Sequence, residues 1–183
     1  GTSLDAGSFF NTFIGHRVSD ATMDNALGNT GVGAEALGAL TTGDYNVAVG
    51  YGALDANTIG GFNTAIGYGA IGAMTGSPIY NTAIGYNSMA GHTHNDSDYN
   101  VAVGYDSLKG GSNANTNCTA IGPSAVSHAS AAADGIVGIG NGVLGGALEA
   151  GADNTVAVGS AALAALTSGS GNTAIGYEAM KDN

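Results

Sequence analysis

The sequence predicts an all-β parallel β-solenoid of about ten coils, and three observations carry that prediction. One motif recurs ten times along the 183 residues. Its core is a short β-branched run closed by a glycine, the pattern of a brief strand. The distance between copies is also too short for a helix-bridged βαβ unit, which needs ~30 residues. The motif is clearest at Asn63-Thr64-Ala65-Ile66-Gly67-Tyr68-Gly69-Ala70-Ile71 and nearly repeats from Asn81 to Met89. Aligned on the closing glycine, the copies fall at Gly15, Gly33, Gly50, Gly67, Gly85, Gly104, Gly122, Gly140, Gly159 and Gly176, spaced 17 to 19 residues apart. The residue before each is always Ile or Val. A fixed period of this size is the signature of stacked repeats. The chain therefore reads as a single repeat domain over 1–183, with a divergent first copy at 11–28 and a last one at 172–183.

Each element of the copy has its own expectation. The Asn-Thr-Ala-Ile-Gly segment is a strand of four or five residues, with Thr and Ile on one face and Asn, Ala and Gly on the other. The small-residue face is expected to receive a close neighbour, and the Thr/Ile face to point into the packed column. Four residues past the glycine comes an apolar column: Leu37, Leu54, Ile71, Met89, Leu108, Val126, Leu144, Leu163 and Met180. Some copies add a second apolar residue three places later, as in Leu37/Leu40, Ile71/Met74 and Leu163/Leu166. This return limb is either a short helical turn or a second strand with a bend. The connections that follow are polar and variable, as surface loops are. At roughly 4.8 Å per coil, ten coils make a rod on the order of 45–50 Å long.

Composition narrows the function. Glycine supplies 33 residues, far above the usual ~7%, while charged residues are only 9% against ~25%. Collagen is excluded because glycine does not recur at every third position. Arg17, Lys109 and Lys181 are the only basic residues, and the net charge is −11. Nucleic acid and anionic membrane surfaces are unsuited to such a chain, because both are held by Lys and Arg. No apolar run is long enough to span a membrane. The single Cys118 rules out an intrachain disulfide. The chain opens on Gly1-Thr2-Ser3 without a secretory leader, as expected of a processed product or a piece of something longer.

The most regular polar feature is the column Asn11, Asn29, Asn46, Asn63, Asn81, Asn100 and Asn172. Stacked coils would lay these amides above one another as a structural ladder, the arrangement of amide ladders in cross-β stacks. Cys118 aligns with the same column and is expected to be a small buried filler. Aromatics precede many of these asparagines (Phe10, Tyr45, Phe62, Tyr80, Tyr99) or follow the glycine (Tyr51, Tyr68, Tyr86, Tyr105, Tyr177). They are expected to stack between coils or pack at a subunit boundary; an exposed stripe would instead contact a glycan or protein. Phe9, Phe10 and Phe13 would cap the first coil or dock elsewhere. His92, His94, Asp96 and Asp98 form the one cluster of metal-ligand types, weak because it occurs once and in a loop. No repeating Ser/His/Asp arrangement or carboxylate pair supports an enzyme, and no cofactor is expected.

Copies such as Asn46-Val47-Ala48-Val49-Gly50-Tyr51-Gly52-Ala53-Leu54 resemble the repeats of tailed-bacteriophage fibres. Their strand half is similar to the head repeat of trimeric autotransporter adhesins, near Asn-Ser-Val-Ala-Ile-Gly, although that repeat is shorter at about 14 residues. The resemblance covers nine of the ten copies and implies a left-handed β-roll assembled as a homotrimeric rod on a virion tail or cell surface. It implies a fibre or adhesin shaft, extracellular or on the virion, contributing to attachment to a host surface glycan or protein. The alternative is a self-assembling extracellular filament with a mechanical role, built by end-to-end polymerisation. Ice binding by the Thr column and a polysaccharide lyase rank below both. Recognition is expected where copies differ, at Thr75 to Ile79 and His92 to Asp98.

Overall fold

The computed structural model describes residues 7–92, 97–110, 115–127, 133–146, 148 and 152–182. The described chain is all-β, with no helix among the described residues. Ten three-residue strands form one parallel sheet: β1 (Thr12–Ile14), β2 (Thr30–Val32), β3 (Val47–Val49), β4 (Thr64–Ile66), β5 (Thr82–Ile84), β6 (Val101–Val103), β8 (Thr119–Ile121), β10 (Val137–Ile139), β11 (Val156–Val158) and β12 (Thr173–Ile175). Two further short strands, β7 (Asn115–Thr116) and β9 (Ala133–Asp134), pair with each other in parallel. Neighbours in the large sheet follow chain order, and equivalent positions of the repeat pair throughout, as in Thr64↔Thr82 and Ala65↔Ala83. One repeat is one coil, which is a β-solenoid.

The return limb is neither of the two expected forms. Its apolar residue sits at positive φ in coil after coil: Leu37 (55°), Leu54 (52°), Ile71 (51°), Met89 (55°), Leu108 (46°), Val126 (50°), Leu144 (49°) and Leu163 (50°). Left-handed backbone costs an L-residue about 1–2 kcal/mol, and a β-branched Ile or Val there is a true outlier. Two other columns share this conformation: the residue before the asparagine and the one two places past the glycine. The limb is thus a run of turns. Its backbone is nonetheless bonded from coil to coil, with Leu37 N–H donating to Ala53 O, Leu54 to Ala70 and Ile71 to Ser88.

The core lies between the strand and that limb. The middle strand residues Ala48, Ala65, Ala83, Ala102, Ala120 and Ala157 are fully buried against the left-handed apolar column, also buried. This reverses the expected facing of the strands. Asn81 and Ala83 are inside, while Ile84 is 39% exposed and belongs to the outer face. The close neighbour of the small residues is the chain's own return limb. In nine of the ten coils that middle position is Ala or Gly, which leaves just enough width for one Leu-sized layer, so the roll is thin. In the first coil Phe13 takes the alanine position and packs on the core, whereas Phe9 and Phe10 are exposed. Gly31 beside it makes room: a Cβ there would stand 2.7 Å from Val18 Cγ1 and 3.1 Å from Phe13 Cδ1.

The glycine that closes each strand is required twice over. Its φ lies between 126° and 143°, a region nearly restricted to glycine. A Cβ on Gly104 would also come within 2.6 Å of the Gly122 carbonyl oxygen in the next coil. Gly176, in the last coil, has the same φ but only Ala179 Cβ at 3.9 Å. Gly104→Ala should therefore cost about 3–5 kcal/mol, and Gly176→Ala only about 1–3 kcal/mol, by denaturant unfolding. Equal costs would mean that backbone strain alone explains the glycine.

Candidate functional site

Two features repeat along the rod with chemistry of their own: the buried amides of the asparagine column and the outer face of the strands.

Because asparagine precedes the strand on its inward side, six amides fall on one axis. Asn29 Nδ2 donates to Asn11 Oδ1 at 3.1 Å, and the same bond links Asn46 to Asn29, Asn63 to Asn46, Asn81 to Asn63 and Asn100 to Asn81, at 3.0–3.2 Å. Each acceptor Oδ1 also takes the backbone N–H of the next asparagine, at 2.8–3.1 Å. The second amide hydrogen reaches a carbonyl in the following turn, for instance Gly60 O from Asn46 and Pro78 O from Asn63. Asn29, Asn46, Asn63, Asn81 and Asn100 are fully buried. Both hydrogens and both lone pairs of an interior amide are therefore used, which makes burial tolerable. Nothing is left to hold a ligand.

The run stops at coil seven. Cys118 N–H donates to Asn100 Oδ1 at 3.0 Å, but Cys118, Ile136 and Thr155 occupy the next three places in the column. Asn172 is separated from the run; its Nδ2 donates to Gly169 O nearby and to Thr155 Oγ1 of the preceding coil. The Cys118 thiol is buried and donates to Thr116 O, and burial pushes it up to about 11. It is a poor nucleophile at neutral pH.

Of the four residues with metal-ligand chemistry, the structure describes His92 and Asp98, and each is engaged within the coil stack. His92 is fully buried, with Nε2 2.5 Å from Leu108 O and Nδ1 3.3 Å from Asn115 Nδ2. It sits three places after Met89, where Met74 follows Ile71 in the preceding coil, so it is a core residue of coil five. That shared spacing was the signal that could have placed it. Asp98 Oδ1 accepts the Ile79 backbone N–H at 2.8 Å. His94 and Asp96 lie outside the described residues. No cluster of three or more His, Cys, Asp or Glu suited to a metal occurs among the described residues.

The variable loop from Thr75 to Ile79 is partly structural, since Pro78 O accepts from Asn63 Nδ2 of its own coil and Ile79 N–H donates to Asp98 of the next. All three cations are paired within the chain: Arg17 with Asp20 and Glu35, Lys109 with Asp106, and Lys181 with Glu178.

The outer face is built from the alternate strand positions. One column reads Thr12, Thr30, Val47, Thr64, Thr82, Val101, Thr119, Val137, Val156, Thr173; the other is the Ile/Val before each glycine. Two aromatic columns border it. Tyr45, Phe62, Tyr80 and Tyr99 stack at 5.0–5.3 Å between ring centroids. Tyr51, Tyr68, Tyr86 and Tyr105 stack at 5.2–5.5 Å, with planes within 13° of parallel. Each of these rings stays about half exposed. Because the ring faces cover one another, the stacks offer edges and hydroxyls rather than open faces. The first stack stands on left-handed residues, a strain that ring stacking offsets. Tyr177, in the last coil, is in neither stack and is largely exposed.

No family model, curated protein or solved structure matches the chain. Among the described residues no helix is long and apolar enough to cross a membrane.

Asn63→Ala would strand the Asn81 backbone N–H and one Asn81 Nδ2 hydrogen, and would leave Asn46 Oδ1 and the Pro78 carbonyl oxygen each short of a donor. It should cost about 3 kcal/mol or more, since each buried polar group left unpaired costs about 1–3 kcal/mol. Asn172→Ala, away from the run, should cost about 1 kcal/mol or less. Similar losses from the two in chemical denaturation would contradict a continuous ladder.

Burial holds the His92 imidazole below its ordinary 6.5. Below pH 6.5 the unfolded chain takes up a proton that the folded chain refuses. The contribution of His92 is thus complete above 6.5 and declines as pH falls towards the folded value, by up to ~1.4 kcal/mol per pH unit. His92→Met, matching Met74, should remove that part of the pH dependence. Parallel stability curves for the two proteins between pH 7.5 and 5 would show that His92 titrates freely.

Proposed function

We propose that the chain is the shaft of a surface fibre or adhesin, on a phage tail or a bacterial surface, that contributes to attachment and is built by association of several copies. The observation that carries this is the distribution of charge. The two outer strand columns and the two columns bordering them comprise forty positions, ten in each, and none is Asp, Glu, Lys or Arg. On a chain of net charge −11, copies would repel through almost any other surface. Every Asp and Glu of the sequence falls outside these four columns, and a face without Asp, Glu, Lys or Arg runs the length of the sheet.

Its size suits the role. Ten strands at ~4.8 Å and a width of roughly 15–20 Å give a face on the order of 700–900 Å². Stable interfaces bury about 800 Å² per partner. A thin roll has little core of its own, so covering Ile66, Ile84, Ile121 and Ile139, all more than a third exposed, would add much of its stability. A homotrimer closing around these faces is the form we favour. Such a shaft is non-enzymatic, acts outside the cell or on the virion, and leaves contact with a host glycan or protein to features that differ between coils.

A second reading, a mechanical filament, is favoured by the identical register of all ten strands, which a strand from another copy would continue at either edge. Electron microscopy separates short rods from long polymers.

Analytical ultracentrifugation should give a mass near three chains, and a clean monomer would remove the proposal. Ile84→Asp should leave the coil folded, because its side chain faces outward, yet drive the assembly towards monomer by burying an unpaired charge. Loss of the circular dichroism signal in that variant would instead return Ile84 to the interior.

A further inference from the structure

We infer that copies of this chain meet chiefly through coils three to six, parallel and with like coils level, and that the two aromatic stacks set this register. The inference deepens the self-association proposed above and rests on it. Its basis is a coincidence of extents. The stack Tyr45–Phe62–Tyr80–Tyr99 and the stack Tyr51–Tyr68–Tyr86–Tyr105 occupy the same four coils, one at each end of the strands. In coils seven to nine the same border positions hold Asn117 and Pro123, Gly135 and Asn141, and Asn154 and Ser160. The outer face therefore has a four-coil block with aromatic borders on both sides, followed by three coils with none.

Such a block is where binding energy concentrates. Tyrosine is enriched among the few residues that dominate interfaces, because it offers large rigid area at small entropic cost. Here that rigidity is increased: Phe62, Tyr80, Tyr68 and Tyr86 are clamped by rings above and below and the four end rings by one, so little freedom remains to be lost on association. The rings are half exposed, and their free edges can meet rings of another copy edge to face.

The block is off-centre, and that gives direction. Where copies lie parallel with coils level, all four aromatic-bordered coils meet their equivalents. In a fully overlapping antiparallel pair coil three faces coil eight and coil four faces coil seven. Only coils five and six would then meet aromatic with aromatic. The rest would press tyrosine borders on Asn117, Pro123, Gly135 and Asn141. The parallel arrangement alone keeps all four aromatic-bordered coils in contact while covering all ten: every one-coil slip from it loses one, and an antiparallel pair reaches four only by slipping two coils and uncovering two on each copy.

Crosslinking of the full chain tests orientation. Thr30→Cys places a thiol on the outer face of coil two, and Val156→Cys does so in coil nine. Cys118 is buried, with its thiol raised to about 11, and stays silent. A short bismaleimide should join Thr30→Cys chains to one another, and a mixture of the two variants should give only like-with-like products. In an antiparallel pair the two coil-two thiols would be on the order of 34 Å apart, and Thr30→Cys would instead join Val156→Cys. That product would overturn the inference while leaving self-association standing. Location is tested by sedimentation of two paired variants whose folding is checked by circular dichroism. Tyr68→Ser with Tyr86→Ser should raise the dissociation constant at least about tenfold. Pro123→Ser with Asn141→Ser, in the same border column, should change it less than about threefold. Equal effects would overturn the localisation to coils three to six, and a monomeric wild type would overturn the self-association beneath it.

Discussion

Everything in this molecule depends on the spacing that parallel backbone hydrogen bonds impose between one coil and the next. Strand and return limb are both bonded to their equivalents above and below, so every side chain has its own counterpart one strand spacing, ~4.8 Å, away. At that distance identical residues must be compatible with themselves. An amide is, because it donates on one side and accepts on the other. A flat ring is, because it can lie on its copy. A charge is not, and the columns facing inward and outward contain almost none. The unusual composition follows from this constraint.

The same spacing explains how strained positions persist. Leucine, tyrosine and phenylalanine are poor residues for left-handed backbone, yet 25 residues other than glycine adopt it among those described. Each strained residue is held by two coils that have the same shape. In the apolar column of the return limb and the column before the asparagine, most side chains are buried in the core or stacked, so the strain there is offset by contacts that exist only in the stack. In the column before the asparagine, coils seven to ten, which lack the ring stack, carry Asn or Gly: Asn117, Gly135, Asn154 and Gly171.

Much of this was legible in the sequence because the repeat is strict. The ten strands, their parallel order and the corner glycines could be read from the columns, and the asparagines are placed where a ladder needs them. What alternation could not supply was which face is inside. Asn81 and Ala83 lie on one face and Thr82 and Ile84 on the other, and hydrophobicity alone favours burying Ile84. A core one side chain thick inverts that rule: the strand must contribute alanine so that Leu or Met of the return limb can fit. The return limb was unreadable for a different reason. Nothing in the local preference of Leu54 or Ile71 points to left-handed backbone, which is imposed by the stack. His92 was misjudged from its polar neighbours, although its distance from Met89 placed it in the core.

The left-handed positions have a further consequence, for how the rod comes into being. A single coil carries up to three such residues, each unfavourable by about 1–2 kcal/mol until a neighbour is in place. No coil can therefore hold its shape alone, and each completed coil is the mould on which the next is cast. Growth then proceeds by accretion at an end, as in one-dimensional repeat proteins, starting from a seed of a few coils. Because each addition meets the same mould, whole repeats can be duplicated or lost without redesigning the joints. The rod is a ruler graduated in single coils, whose length heredity can alter one mark at a time.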